Sequence, residues 1–474
     1  MQGFFHMFLK NLVKQSAAVT PEQQFKRMTS EPVSKLIPSL AVPTVISMLI
    51  SSIYNMADTF FVSQLGTSAS AAVGIVFSIM AIIQACGFTL GMGAGSLISR
   101  RLGEKNNAAA ERLLSTAFIS AFICGTIIAV TGLTFTKPLM RLLGASETIM
   151  PYAVDYGNYI FLGAPLMCAS FVMNNTLRSE GHAAFSMVAL TTGGILNMLL
   201  DPLFIFVFKL GTAGAAIATL ISQAVSFCIF ISFFLMRKSI VRLHLPWQLA
   251  DRHPEGASPA GGLFAIISLG LPSLCRQGLA TVASVLLNRA AGAFGDAAIA
   301  GMSITNRIIM LVASVMIGIG QGFTPVSGYN YGAKKYTRVR QAYWFTVKLG
   351  ATIMGISALV LVPFAPWIIT FFRDDPEVIK VGTLALRFQA IALPLHAFIV
   401  GTNMLMQSTG KSVQATFLAC NRQGVYFIPL ILVLPVLFGN MGIVSTQAIA
   451  DVFSAITAIP YIIWFFRKLP AADQ

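Results

Sequence analysis

Residues 87–105 read GFTLGMGAGSLISRRLGEK, and residues 316–334, 229 positions later, read MIGIGQGFTPVSGYNYGAK. Four residues of the first stretch recur at this offset in the second: Gly91, Gly93, Gly103 and Lys105 return as Gly320, Gly322, Gly332 and Lys334. The same offset joins further pairs: Pro43 and Pro272, Gly66 and Gly295, Pro165 and Pro394, Gly181 and Gly410. Glycine and proline set where a backbone turns and bends, so the repeat predicts two halves with the same fold. Duplicated apolar halves are typical of secondary transporters, whose binding site lies between the repeats.

The composition predicts an all-α polytopic membrane protein. The chain has 474 residues, of which 56% are hydrophobic and 10% charged, and its mean hydropathy is +0.76. A soluble protein carries roughly 25% charged residues, and a membrane helix needs about 20 apolar ones. Twelve such segments are predicted, at 38–62, 70–99, 113–133, 152–176, 184–208, 212–236, 264–290, 297–326, 342–366, 381–405, 413–437 and 441–466.

The formal net charge of +15 indicates a membrane orientation rather than a nucleic-acid partner. With a cytoplasmic N-terminus, the external segments hold only a small share of the basic residues: Lys137, Arg141, Lys209, Arg373 and Lys380. An excess of lysine and arginine on the cytoplasmic side is the usual bias of membrane proteins and needs no ligand. We therefore expect a multi-pass protein of the plasma (bacterial inner) membrane with both termini in the cytoplasm.

The spans predict two six-helix lobes between cytoplasmic segments. In chain order the parts are an N-terminal segment, the N-lobe, a cytoplasmic loop, the C-lobe and a tail: residues 1–37, 38–236, 237–263, 264–466 and 467–474. The stretch from Arg252 to Pro259 is rich in proline, glycine and charge, as linkers are. Because six is an even number, the second lobe enters the membrane in the same orientation as the first, which predicts parallel repeats. Phe4 to Val13 form a short amphipathic stretch, and no removable signal peptide is expected.

Several stretches carry a resemblance to a known family. They are Pro43-Thr44 with Tyr54-Asn55-Met56-Ala57-Asp58-Thr59, residues 177–181 (LRSEG) and residues 321–334 (QGFTPVSGYNYGAK). From about residue 30 onward the chain resembles the multidrug and toxic compound extrusion (MATE) transporters. The resemblance implies a V-shaped twelve-helix exporter that exchanges organic, mainly cationic and amphipathic compounds for Na⁺ or H⁺. It further implies small-molecule substrates and membrane lipids as partners, no enzymatic activity and no cofactor beyond the coupling ion, and we expect a monomer.

Acidic residues inside the predicted spans indicate a cation or proton site. A carboxylate in the bilayer costs roughly 2.5–3.5 kcal/mol and usually has a functional reason. Asp58 lies in the first span, and Asn197 and Asp201 share one face of the fifth because they are four residues apart. Pro202 is expected to release a backbone carbonyl, and Thr219 of the sixth span adds a hydroxyl group. These oxygen atoms suit a hard cation, and two nearby carboxylates also suit a proton; the alternative is a polar cluster that only fixes helix packing.

The same four residues resemble the coupling site of one branch of the family. In its DinF- and MepA-like bacterial branch, an aspartate on helix 1, an Asn-x-x-x-Asp pair on helix 5 and a threonine on helix 6 couple the ion, which implies this role for Asp58, Asn197, Asp201 and Thr219. At the repeat offset, Asp58 corresponds to Leu287 and Asp201 to Leu430. The NorM-like branch instead carries acids in the second lobe, where this chain has other residues: Arg276, Gln277, Arg307 and Arg387. Coupling is therefore expected through the N-lobe alone.

Other polar residues of the spans have two interpretations each. Asn174 and Asn175 line the substrate cavity or join helices, and Pro43 is a predicted hinge about four helical turns from Asp58. Among the basic residues Arg276, Arg289, Arg307, Arg387 and Arg422, the last is expected to pair with Asp451. The six cysteines lie in apolar spans and are expected to be buried thiols.

Two rival functions follow from the same sequence. An enzyme is excluded as the main function because we find no histidine cluster, nucleophile elbow or phosphate-binding loop. A lipid-linked or metabolite exporter of the same superfamily is the closer alternative, and the acids of the N-lobe count against it.

Overall fold

The computed structural model describes residues 20–244, 259–470 and 473, and over them the chain is helical without a β-strand, so the predicted all-α class is confirmed. The first repeat follows a short polar helix and contains seven further helices and one π-helical turn. Their bounds are α1 Pro21–Ser30, α2 Val33–Ser63, α3 Thr67–Gly103, α4 Asn107–Thr134, α5 Thr136–Leu142, α6 Met150–Ser179, α7 Ala183–Pro202, the π turn Leu203–Val207 and α8 Gly211–Leu235.

The second repeat is built from the same sequence of long helices. Their bounds are α9 Pro259–Gly292, α10 Asp296–Gly332, α11 Tyr336–Phe372, α12 Pro376–Ser408, α13 Ser412–Cys420, the π turn Asn421–Tyr426, α14 Phe427–Phe438 and α15 Asn440–Lys468. The π turn joins α13 and α14 into one span, as the turn after α7 extends that helix to Val207.

All twelve predicted membrane spans are confirmed in number and order. Twelve helices of the described residues are long and apolar enough to cross a membrane. Most helices extend a few residues beyond the predicted bounds because their ends are polar and the apolar pattern marks only their centres. The short helices α1 and α5 were not predicted, since α1 is polar and α5 has seven residues. The fourth and tenth spans, α6 and α12, are the most deeply buried.

The two repeats turn alike, as the offset predicts. Gly66 and Gly295 precede α3 and α10 with φ angles of 115° and 97°, which residues with a side chain rarely adopt. Lys105 and Lys334 follow the same helices, and each has a φ angle of 57°. Two pairs of equivalent turns therefore have the same backbone conformation in both halves.

The glycines of α3 permit close helix packing. A Cβ atom on Gly91 would lie 2.7 Å from the Asn175 side chain and from the Phe171 carbonyl oxygen on α6. The absence of side chains on this face of α3 thus allows α6 to approach at backbone distance.

The chain forms two compact units, and two helices, α2 and α9, each have one part in the first unit and one part in the second. Within the described residues, the first unit holds 20–28, 46–244 and 259–270, and the second holds 29–45, 271–470 and 473. The division of α2 follows Val45, two residues beyond Pro43, and that of α9 precedes Leu271, next to Pro272. A proline removes one backbone hydrogen bond of its helix, so each division lies at a weakened point. The predicted lobes, 38–236 and 264–466, differ from the units at these points, and the amphipathic stretch Phe4 to Val13 and residues 252–258 of the linker lie outside the described residues.

Candidate functional site

The polar side chains of α7 share one face because they are separated by one helical turn. Asn197 and Asp201 are four residues apart, and both are buried, with 3% and 0% of their surface exposed. Regular α-helical bonding ends at Pro202, which has no N–H group, and the chain continues through the π turn. The carboxylate of Asp201 therefore lies immediately before a local change of helix type, a feature often seen at functional positions.

Asn197 connects α7 to α8 through its amide nitrogen. Nδ2 of Asn197 donates to Oδ1 of Asp201 at 3.1 Å and to Oγ1 of Thr219 at 3.2 Å. One turn earlier, Gly193 contacts Ser226 of α8 so closely that any side chain at 193 would collide with the serine hydroxyl group. This close approach of the two helices brings Thr219 within hydrogen-bonding distance of Asn197.

Asp58 reaches the same cluster from α2, and Tyr156 reaches it from α6. The Tyr156 hydroxyl group donates to Oδ2 of Asp58 at 3.4 Å and also lies near Thr219. The carboxylates of Asp58 and Asp201 are close enough to interact electrostatically. The structure thus brings together all four residues that the sequence predicted for this site and adds Tyr156 as a fifth.

Sequence reasoning missed Tyr156, although the repeat contained a signal. Its side chain is fully buried, yet a single tyrosine in an apolar span is indistinguishable from a packing residue. At the repeat offset, Tyr156 corresponds to Ala385. This position is therefore polar in the first half and apolar in the second, as are the positions of Asp58 and Asp201. A comparison of the halves for such changes would have identified it.

Three oxygen atoms of the cluster are left without a donor. Oδ1 of Asp58, Oδ1 of Asn197 and Oδ2 of Asp201 are buried and accept no hydrogen bond from the described residues. A buried carboxylate or amide oxygen without a partner is costly, and a cation or a proton would compensate it. Oxygen ligands suit a hard monovalent or divalent cation. Among the described residues, no group of three or more histidine, cysteine or acidic side chains is placed to hold a metal ion.

Asn174 and Asn175 lie away from this cluster. They are 18 and 19 residues beyond Tyr156 on α6, which corresponds to about 27 Å along a helix. Asn174 accepts a hydrogen bond from Ser186 of α7, and Oδ1 of Asn175 accepts from Arg178 at 2.9 Å. Asn174 therefore joins α6 to α7, whereas the bond of Asn175 lies within α6. The role of both amides in substrate binding stays a prediction.

The equivalent position of the second repeat is an apolar core. Leu287 and Ala385, which correspond to Asp58 and Tyr156, belong to one buried hydrophobic cluster, and Leu430, which corresponds to Asp201, packs against it. The acids and their unpaired oxygen atoms thus occur in one half only. Because the backbone turns alike in both halves, this difference arises from side chains rather than from the fold.

The predicted pair of Arg422 and Asp451 is confirmed. Nε of Arg422 lies 2.6 Å from Oδ1 of Asp451, and a second guanidinium nitrogen lies 3.3 Å from Oδ2. Arg387 donates from Nε to the carbonyl oxygen of Val362 at 3.0 Å. Arg289 is exposed in the last turn of α9.

Known proteins resemble the chain over nearly its whole length. It is 27% identical over 455 residues to the multidrug export protein MepA of Staphylococcus haemolyticus, an alignment that covers 96% of this chain and 98% of that protein. It is 28% identical to an outward-facing multidrug resistance MATE transporter of the MOP superfamily, with a TM-score of 0.85 and coverage of 94% and 98%. It is also 28% identical to a MATE structure in the bent conformation, with a TM-score of 0.87 and coverage of 95% and 98%.

The family model named MatE matches the chain twice, once in each repeat. The matched residues are 43–203 and 272–433, which together make up more than half of the chain. Both matches begin at the paired prolines, Pro43 and Pro272. With its twelve membrane helices, the chain is an integral membrane protein that belongs to the MatE family of transporters and is not an enzyme.

Proposed function

We propose that this transporter exports organic, mainly cationic and amphipathic compounds from the cell in exchange for Na⁺ or H⁺. The MepA relatives are named multidrug export proteins, and multidrug efflux is the activity that their similarity supports. Ion binding and compound binding alternate, so that the inward ion gradient drives the compound outward. We further propose that the chain acts as a monomer in the bacterial inner membrane, with both termini in the cytoplasm.

The unpaired oxygen atoms of the first repeat are the observation that carries the proposal. Asp58, Asn197 and Asp201 each keep one buried oxygen that no described residue donates to, and a bound cation or proton would satisfy them. Asp58 and Asp201 together supply two negative charges, so the site attracts cations. Asn197 donates hydrogen bonds to both Asp201 and Thr219, while Tyr156 donates one to Asp58.

Pro43 is proposed as the hinge that couples the ion to the rest of the protein. It lies 15 residues before Asp58 on the same helix, about four turns away. The passage of α2 from one compact unit to the other within two residues of Pro43 supports flexibility at this point. The solved relative in a bent conformation is consistent with a helix that can change its curvature.

Dye efflux from liposomes tests the proposal. Purified protein is reconstituted with ethidium inside the vesicles, and Na⁺ and H⁺ gradients are imposed separately. We expect one gradient to drive efflux in the wild type and in Asp155→Asn, which removes an exposed acid next to Tyr156, and we expect no efflux from Asp58→Asn. The gradient that works identifies the coupling ion. Efflux by Asp58→Asn at the wild-type rate would remove this residue from coupling, and a wild type that moves dye under neither gradient would redirect the search to lipid-linked or metabolite cargo.

A further inference from the structure

A second cluster of buried and half-buried polar groups lies in the second repeat, away from the acids. Arg276 of α9 and Arg422 of the π turn both lie within electrostatic range of the His396 imidazole on α12. Asp451 of α15 is bound to Arg422. Four helical segments of one compact unit therefore converge on these side chains.

Local contacts explain why α9 and the π turn meet here. The thiol groups of Cys275 and Cys420, which directly precede Arg276 and Asn421, are in contact. One turn further along α9, Leu279 lies against Gly424, where an added Cβ atom would be only 2.9 Å from the leucine side chain. Without a side chain at 424, the π turn packs directly on α9, so Arg276 and Asn421 lie on segments that are in contact.

The charges of this cluster do not balance. Asp451 neutralises Arg422 and also accepts a hydrogen bond from Gln447 at 2.9 Å. Arg276 is half-buried and has no hydrogen bond or ion pair with any described residue, and a charge removed from water generally requires a partner. One positive charge is therefore left over in an otherwise apolar part of the protein.

Neutral groups of the same cluster also lack partners. Asn421 is fully buried, and neither its side-chain nitrogen nor its oxygen makes a hydrogen bond within the described chain. Nδ1 of His396, a residue with 4% of its surface exposed, is likewise unsatisfied. An unsatisfied buried polar group is costly, so a ligand that supplies the missing partners would bind favourably.

The fold itself does not require these residues. At the repeat offset, Arg276, His396 and Arg422 correspond to Ser47, Met167 and Gly193 of the first half, all of which are uncharged. The first half has acids where the second has an apolar core, and the second half has cations where the first has small or neutral residues. The two halves therefore have similar backbone folds, but the first half carries acidic residues and the second carries basic residues, at positions that are not equivalent.

We propose that Arg276, His396 and Asn421 form a binding site for a monovalent oxyanion carried by an amphipathic organic molecule. The guanidinium group of Arg276 supplies the charge and a fork of donors that matches a carboxylate, and Asn421 supplies a neutral donor. The Arg422–Asp451 pair holds the π turn and leaves Arg276 to the ligand. The transporter thus takes anionic or zwitterionic compounds in its second half, independently of the cation residues of the first. A carboxylate on a transported compound and a phosphodiester on a lipid both meet this chemistry.

Equilibrium binding to the purified full-length protein tests the site without relying on transport. The probes are 1-pyrenebutyrate and its neutral amide, which share the same ring system, followed by fluorescence in detergent. We expect the wild type to bind the acid at least tenfold more tightly than the amide. We expect Arg276→Gln to lose this preference, and Arg289→Gln, which removes the exposed arginine of the same helix, to keep it. Equal affinity of the wild type for acid and amide, or an unchanged preference in Arg276→Gln, would overturn the proposal.

Two further arms keep the result interpretable. Asn421→Leu removes a donor without changing the charge, and we expect it to weaken acid binding several-fold, so the site remains testable if Arg276→Gln is not obtained in folded form. Repeating the titration in nanodiscs of phosphatidylcholine with and without phosphatidylglycerol identifies the natural source of the oxyanion. Competition by phosphatidylglycerol assigns the site to a lipid phosphodiester, and lack of competition assigns it to a carboxylate of a transported compound.

Discussion

The hydroxyl group of Tyr156 lies 3.4 Å from Oδ2 of Asp58 and donates a hydrogen bond to it, which joins α6 to α2 beside the unpaired oxygen atoms of the acid cluster. Oδ1 of the same aspartate has no donor among the described residues. Tyr156 therefore fixes the carboxylate with one oxygen directed at the tyrosine and leaves the other for the proposed cation or proton.

Tyr156→Phe should weaken ion binding without abolishing it. The substitution keeps the buried ring and removes only the donor, and a hydrogen bond to a charged group contributes roughly 1.5–3 kcal/mol. Because the observed hydrogen bond is long, we expect its contribution to lie at the low end of this range, which corresponds to about a tenfold loss of ion affinity. Tyr152→Phe, at an exposed position of the same helix, is the control. The measurement is the ion concentration at half-maximal efflux, and equal values for Tyr156→Phe and the wild type would separate the tyrosine from the ion.

Asp201→Asn should abolish the response to the ion while leaving the protein at least as stable. The asparagine retains the shape of the side chain and removes a buried charge, one oxygen of which is unsatisfied. A ligand at 100 times its dissociation constant stabilises the folded state by about 2.7 kcal/mol. We therefore expect saturating concentrations of the coupling ion to raise the melting temperature of the wild type and not that of the variant. Equal ion-dependent stabilisation in both proteins would move the ion to another site.

The parts of this site that depend on local geometry could be predicted from the sequence, and the parts that depend on tertiary packing could not. Asn197 and Asp201 must share a helix face because they are four residues apart. The contact between Tyr156 and Asp58 spans 98 positions of the chain, and no local pattern specifies it. Asp58 was predicted as an acid inside a span and Thr219 as a hydroxyl group of the sixth span, and the family resemblance agreed with both, whereas only the structure supplied the fifth residue.

The split of α2 between two compact units also depends on tertiary packing and could not be predicted from the sequence. Pro43 marks a weakened point of the helix in the sequence, but only the packing of residues 29–45 with the second unit reveals what that point separates. The π turns were missed for a related reason. Pro202 precedes the first of them, whereas the second, Asn421–Tyr426, contains no proline and lies where Gly424 packs against Leu279.

Pro43→Ala should stabilise α2 and slow transport. Alanine restores the missing backbone donor and favours a straight helix, so we expect a higher melting temperature and a several-fold lower efflux rate with unchanged ion affinity. Pro38→Ala is the control, because Pro38 lies in the same helix five residues before Pro43. Normal efflux by Pro43→Ala, with the usual dependence on the ion, would remove the hinge from the mechanism.

Breaking the pair of Arg422 and Asp451 should destabilise the second repeat. The aspartate side chain is 6% exposed and the arginine side chain 22%, and removing one partner of a buried pair costs about 3–5 kcal/mol. We expect Asp451→Ala to cost about 3 kcal/mol, since the arginine keeps some contact with its surroundings. The double variant Arg422→Met with Asp451→Leu should recover most of this loss.

An exposed pair provides the matched comparison for that experiment. Arg141 and Glu147 are 2.8 Å apart with side chains that are 71% and 83% exposed, so Glu147→Ala should cost at most about 1 kcal/mol. The measurement is chemical unfolding in mixed micelles. A double variant no more stable than Asp451→Ala would mean that the aspartate contributes through something other than its pairing with Arg422.

Glu180 should make stability depend on pH through the loop between α6 and α7. It is fully buried and accepts hydrogen bonds from the Ser239 hydroxyl group at 2.7 Å and from the Ile240 amide at 2.9 Å. Burial raises the pKa of this carboxyl group from 4.5 to about 8, although these donors lower it in part. Burial and the nearby Arg27 lower the pKa of His182 from 6.5 to about 4.

The sign of the effect follows from the two states of Glu180. Since the folded protein holds the proton up to about pH 8 and the unfolded chain releases it near pH 4.5, the stabilisation is complete below pH 4.5 and is lost as the pH rises to about 8. The loss amounts to at most about 1.4 kcal/mol per pH unit. His182 contributes little above about pH 7.5, because it is then largely neutral in both states.

Glu180→Gln should therefore flatten the pH dependence of unfolding between pH 6.5 and 8. Glutamine keeps an acceptor oxygen for Ser239 or Ile240 and cannot ionise, so the melting temperature of the variant should fall less over this range than that of the wild type. Glu147→Gln, at a highly exposed position, should follow the wild type. Above pH 8 the wild-type and Glu180→Gln curves should run parallel, because Glu180 is then ionised in both states. Parallel curves from pH 6.5 onward would show that Glu180 is already ionised in the folded protein, and that the donors of Ser239 and Ile240 outweigh the cost of burying its charge.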